Sequence, residues 1–108
     1  MTMLRVGRWM SRAEYDAMVK AGRLQPTLDG REMKHVTVPP NSDGFRAADP
    51  GSVFAEFDID DAQRATGGRQ GWLIFYGPNC IHGRQALQRG MRVTEMPTVQ
   101  NIVITRTK

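Results

Sequence analysis

An arginine fork near one end of the chain and a few polar groups near the other could do chemistry. Arg8 closes the stretch Met3–Arg8, just before Ser11-Arg-Ala-Glu14. A guanidinium there can grip a phosphate or a carboxylate at two points. Arg5 is the alternative holder. In the last third, the run Trp72–Tyr76 stops at Gly77-Pro78-Asn79. Glu95 stands before Met96-Pro97, and Gln100-Asn101 opens a final apolar run. Polar groups at the ends of buried strands are where small catalytic domains keep reacting side chains. His35 and His82 offer a different chemistry. As acid and base, with arginines on the phosphates, they would serve a ribonuclease. Cys80, the only cysteine, is either a nucleophile or a small half-buried thiol.

These groups need elements to hold them. Met3–Arg8 alternates like a short strand. Ser11-Arg-Ala-Glu14 is a capping box that opens a helix with Tyr15, Met18 and Val19 on one side and Gly22 as its stop. Leu24 packs back on that helix. Pro26–Arg31 is a turn. Lys34–Val38 is a β-branched strand broken by Pro39-Pro40-Asn-Ser-Asp-Gly44. Phe45–Gly51 is a loop or a single helical turn. Val53–Ile59 alternates as a strand with one buried face. Asp60 or Asp61 caps a turn of helix through Ala62 and Ala65, and Thr66–Gly71 is a flexible connection. Trp72–Tyr76 is continuously apolar, as a central strand would be. Ile81–Arg89 reads as a short helix ended by Gly90, with a stripe of Ile81, Ala86 and Leu87. Arg92–Pro97 is a loop or edge strand, and Asn101–Thr105 is the last strand. The pattern is α+β with a mainly antiparallel sheet.

At 108 residues the chain is one domain with a single core. Its abrupt start reads as a piece of something longer. No apolar run approaches the ~20 residues of a membrane span. One cysteine forms no internal disulfide, and two separated histidines give no zinc pattern. The net charge of +4 and pI near 9.8 point to an acidic partner. Arginine outnumbers lysine, which suits planar contacts with phosphate or carboxylate. No stacking platform of aromatics accompanies the charge, so single-stranded nucleic acid is a weak fit. A non-enzymatic module that docks an acidic protein is a further reading of the same charge.

The order of these pieces resembles a mono-ADP-ribosyltransferase toxin domain. It is similar to the C-terminal domains of Rhs-type polymorphic toxins, the group that includes the TreTu toxins. The matching residues are Arg8-Trp-Met-Ser11 with Glu14-Tyr15 and Gly22, Val36-Thr-Val-Pro-Pro40, and Phe45-Arg46-Ala47. They continue with Gly51–Asp58, Gly77-Pro-Asn79 with Gly83-Arg84, and Glu95-Met-Pro97 before Asn101-Ile102. The resemblance covers nearly the whole chain. It implies a small split antiparallel sheet, NAD bound in its cleft, and transfer of ADP-ribose with release of nicotinamide. It also implies delivery by a type VI secretion machine into a rival bacterium and a cognate immunity protein. The target would belong to the translation apparatus, elongation factor Tu above all, with an RNA target as another possibility.

In that setting Arg8 and Ser11 would hold the dinucleotide, and Tyr76, Gly77 and Asn79 would line the cleft. Cleavage of the ribose–nicotinamide bond builds oxocarbenium character, which a carboxylate stabilises. Glu95 is the acid expected to do so. Gln100 is its rival, because the superfamily's glutamate often opens a strand of this shape; an amide there hydrogen-bonds ribose but carries no charge. Trp9 and Trp72 read as core or interface residues. His82 is either at the cleft or on the surface.

Overall fold

In the computed structural model, which describes residues 2–27 and 30–108, six antiparallel strands form one sheet flanked by two short helices. The strands are β1 (Met3–Met10), β2 (Met33–Thr37), β3 (Val53–Asp60), β4 (Arg64–Thr66), β5 (Trp72–Tyr76) and β6 (Val99–Thr107). Their order across the sheet is β4-β5-β2-β1-β3-β6. The helices are α1 (Arg12–Ala21) and α2 (Ile81–Gln88). None of the described helices is long and apolar enough to cross a membrane. Of the turn read at Pro26–Arg31, Leu28 and Asp29 lie outside the described residues.

Alternation sets the two faces. On β3, Val53, Ala55, Phe57 and Ile59 are buried, whereas Glu56, Asp58 and Asp60 are half-exposed. That buried face meets Val6, Met10, Val36 and Phe75 from its neighbours, and Met18 and Leu24 close over it. Fully burying each such large side chain contributes about 1.5–3 kcal/mol. α1 starts where expected: the Ser11 side chain accepts from Glu14 N–H, and Gly22 stops the helix at φ 67°. Only half the capping box forms, because the Glu14 carboxylate turns inward to Arg8 and Lys34. Val19, read as part of the helix's apolar side, is 49 % exposed.

α2 covers the opposite face. Its Ala86 joins Tyr76 and Val93 in a smaller cluster flanked by Ala65. Gly83 lies so close to the Gly77–Pro78 turn that a Cβ would stand 2.1 Å from the Gly77 carbonyl oxygen. Gly83→Ala is therefore expected to cost about 1–3 kcal/mol by overpacking, read as a lower urea midpoint with an unchanged slope.

Two expectations change here. The turn at Asp60–Gln63 is a 3-10 turn capped by Asp60, and Ala65 belongs to β4, a strand the sequence reading missed. Its three residues are too few to show a period. The stripe assigned to α2 holds only at Ala86: Ile81 is 64 % and Leu87 47 % exposed. Gly83 and Ala86 set the buried side, since only small residues fit against the turn. Of the two readings of Arg92–Pro97, the structure shows the loop.

Candidate functional site

The sheet parts between β1 and β2. β1 pairs with β3 at eight consecutive positions, Met3 to Met10, but with β2 only at Gly7↔Thr37. An antiparallel ladder would next set Trp9 against His35. The strands separate instead, and the His35 carbonyl accepts from Arg8 Nη1 at 2.9 Å. A side chain thus satisfies a backbone group that the ladder leaves free.

Arg8 is fixed from both sides. Its Nε donates to Glu14 Oε2 at 3.0 Å, and Lys34 Nζ donates to Glu14 Oε1 at 3.0 Å. The Lys34 side chain is 2 % exposed and that of Glu14 15 %. Burial alone would raise the Glu14 carboxyl; the charges and hydrogen bonds of Arg8, then Lys34, outweigh it and hold it below 4.5. Arg8, Lys34 and the neighbouring Arg31 bring three cationic side chains to one groove, and the Arg8 fork suits a phosphate.

Two cavities meet at this gap. One, of about 310 Å3, is lined by Gly7, Arg8, Trp9, His35, Thr37, Phe54 and Trp72 among others. Its walls are two edge-to-face pairs, Trp9–Phe54 with centroids 5.4 Å apart and His35–Trp72 at 6.4 Å. The other, of about 600 Å3, lies on the α1 side and is lined by Arg8, Ser11, Glu14, Arg31 and Lys34 among others. The two share Arg8, Trp9 and Phe45. Gly7 keeps the first one open: a Cβ there would stand 2.3 Å from the Phe54 ring. An aromatic box suits a flat cationic ring, and a basic groove beside it suits an anion.

Of the residues singled out from sequence, Arg8 and Ser11 line this groove. Glu95 and Gln100 line neither cavity. Glu95 Oε2 pairs with Arg23 Nη2 at 2.7 Å, its side chain 61 % exposed. The loop around it is tied down by Arg23 Nη1 to the Met96 carbonyl, Leu24 N–H to Pro97, and Gln63 Nε2 to the Glu95 carbonyl. Gln100 pairs with Asp58, which lies opposite Arg5, whereas Arg8 lies opposite Ala55. Paired residues share a face, and alternation along β1 puts Arg5 and Arg8 on opposite faces. Arg5 itself is held by Asp58 and the Asn101 carbonyl.

Tyr76, Gly77 and Asn79 sit at the far end of β5 from Trp72. Four residues of strand separate Tyr76 from Trp72, about 13 Å. Tyr76 is buried against His82, with ring centroids 5.9 Å apart. Asn79 donates from its backbone and its amide to the two Glu32 carboxylate oxygens. His35 lies opposite Ile74 with its ring on Trp72, whereas the His82 ring stacks on Tyr76, so the two imidazoles face different partners. Cys80 is half-buried, its thiol on the Gly77 carbonyl.

Sequence reading missed Gly7, Thr37, Phe54, Glu14 and the cavity role of His35, Trp9 and Trp72. A glycine inside a strand was the available signal, since it marks a place where something approaches the backbone. No curated protein matches this sequence. The family model of the TreTu toxin C-terminal domain matches residues 3–103, and the chain belongs to that family.

Proposed function

We propose that this toxin domain cleaves NAD and transfers ADP-ribose to a component of the translation apparatus of a competing bacterium, elongation factor Tu being the leading candidate. The parting of β1 from β2 at Arg8, between an aromatic box and a basic groove, carries this reading. NAD has a flat, positively charged nicotinamide ring at one end and a pyrophosphate in the middle. The box fits the ring through Trp9 and Trp72. The Arg8–Glu14–Lys34 cluster and the N-terminus of α1 fit the phosphates.

In the reaction, the bond from ribose carbon to ring nitrogen breaks. The electron pair goes to the nitrogen, neutralising the ring, and the ribose carbon becomes electron-poor until an acceptor side chain attacks it. Arg8 orients the dinucleotide, and where no acceptor is docked water attacks the ribose carbon instead, loses its proton to solvent and gives free ADP-ribose with the same release of nicotinamide. Ser11 holds α1 in register and presents its N-terminus to the groove. We assign Glu95 to bracing its loop, because its carboxylate is committed to Arg23.

The test is nicotinamide release from NAD, followed by chromatography. Wild type should release it, and Glu95→Ala should stay within about threefold, as for a residue away from the reacting atoms. Release without any dependence on Arg8, or its loss in Glu95→Ala with the fold intact, would move the chemistry to the Glu95 loop. By the same reading the domain works after secretion-machine delivery into a target cell, and an immunity protein protects the producer.

A further inference from the structure

Charge along this chain is segregated. From Ala62 to Thr94 it holds Arg64, Arg69, Arg84, Arg89 and Arg92 and neither Asp nor Glu; every acid but Glu95 precedes that stretch. α2 and its exit carry three of these arginines. The side chains of Arg84, Arg89 and Arg92 make no hydrogen bond or ion pair among the described residues. On either side of Arg84 along the helix surface project two aliphatic groups, Ile81 and Leu87, 64 % and 47 % exposed. The inward side of α2 is satisfied by Gly83 and Ala86, so these groups have no task in the core.

The helix lies on the same side of the sheet as the aromatic box, at the other end of β5. It packs on Tyr76, and alternation places Tyr76 on the same face of β5 as Trp72, about 13 Å along the strand. A standard interface of about 800 Å2 per partner is about 30 Å across. A body seated on α2 therefore reaches the aromatic box. Exposed aliphatic anchors with an arginine between them are the anatomy of a protein interface. A nucleic acid would use the arginines but gain nothing from Ile81 and Leu87, and α2 offers no exposed aromatic for a base.

We infer that the outer face of α2 carrying Ile81, Arg84 and Leu87 docks an acidic protein surface with an apolar recess, and that this partner is the acceptor protein. Charge complementarity selects it and speeds its encounter. This inference rests on the transferase reading for its catalytic outcome, but not for the docking itself.

The experiment uses the double variant Ile81→Asp, Arg84→Glu, with Ile81→Leu, Arg84→Lys as the conservative control. Three quantities are read: nicotinamide release without acceptor, transfer of label from NAD into bacterial lysate protein, and growth arrest on cytoplasmic expression. The double variant should release nicotinamide within about twofold of wild type, yet label protein at least about tenfold less and arrest growth weakly. The control should behave as wild type. Unchanged labelling and growth arrest in the double variant would overturn the inference, as would release falling in step with labelling. Label that enters RNA and is lost in the double variant would also overturn it. If wild type releases no nicotinamide but the double variant relieves arrest, the transferase reading falls and the docking face stands.

Discussion

Arg8→Ala is expected to lower nicotinamide release at least about a hundredfold, the usual loss when a preorganised charged donor is removed from a reacting site. Arg8 is the one residue common to both cavities that carries a charge. Its fork already spans Glu14 and the His35 carbonyl, so its position is fixed before any ligand arrives. The fold should survive: Glu14 keeps Lys34 as partner, and the orphaned His35 carbonyl costs about 1–3 kcal/mol. Arg8→Lys separates charge from shape. An ammonium is a point donor and cannot hold both partners in one plane. It should recover some binding but remain at least about tenfold below wild type. A full-strength Arg8→Lys would mean that charge alone suffices.

Glu14→Ala is expected to be the most destabilising change at the site, by about 3–5 kcal/mol, because it removes the half-buried carboxylate to which Arg8 and Lys34 both donate. Lys34→Met in the same chain should recover part of that loss, since the buried ammonium that has lost its Glu14 contact is then removed. The pH dependence has a definite sign. The Glu14 carboxyl is held below 4.5 in the fold by Arg8 and Lys34, against the opposing effect of burial. A depressed acid contributes stability that is fully present above its unfolded value and lost as pH falls through its folded one. Wild type should thus lose stability as pH drops below 4.5, more steeply than Glu14→Gln, in urea melts run at stepped pH. Parallel slopes would mean that the Glu14 charge is not what ties Arg8 to Lys34.

Much of the scaffold was legible because local signals and tertiary needs agree in it. Ser11 and Gly22 bound α1 as their chemistry demands, and alternation from Val53 onward marks the buried face of β3. The site was less legible, for reasons that lie in three dimensions. Glu14 reads locally as the second half of a capping box, yet a buried lysine from β2 and an arginine from β1 outcompete the Ser11 N–H for it. Glu95 reads as an isolated acid in a braced loop, and only the fold brings Arg23 to it from beyond α1. Trp9 and Trp72 read as core, because nothing in a one-dimensional pattern tells a wall from a filling. The parting of β1 and β2 is what makes them walls.

The central claim is that the gap beside Gly7 receives the nicotinamide ring. Titrating nicotinamide into the isotope-labelled domain and following amide and indole resonances tests it most directly. Shifts should concentrate at Gly7, Thr37 and the indoles of Trp9 and Trp72, and vanish in Gly7→Val, whose side chain meets the Phe54 ring. Shifts gathered instead on Glu95 to Gln100, unaffected by Gly7→Val, would contradict the account.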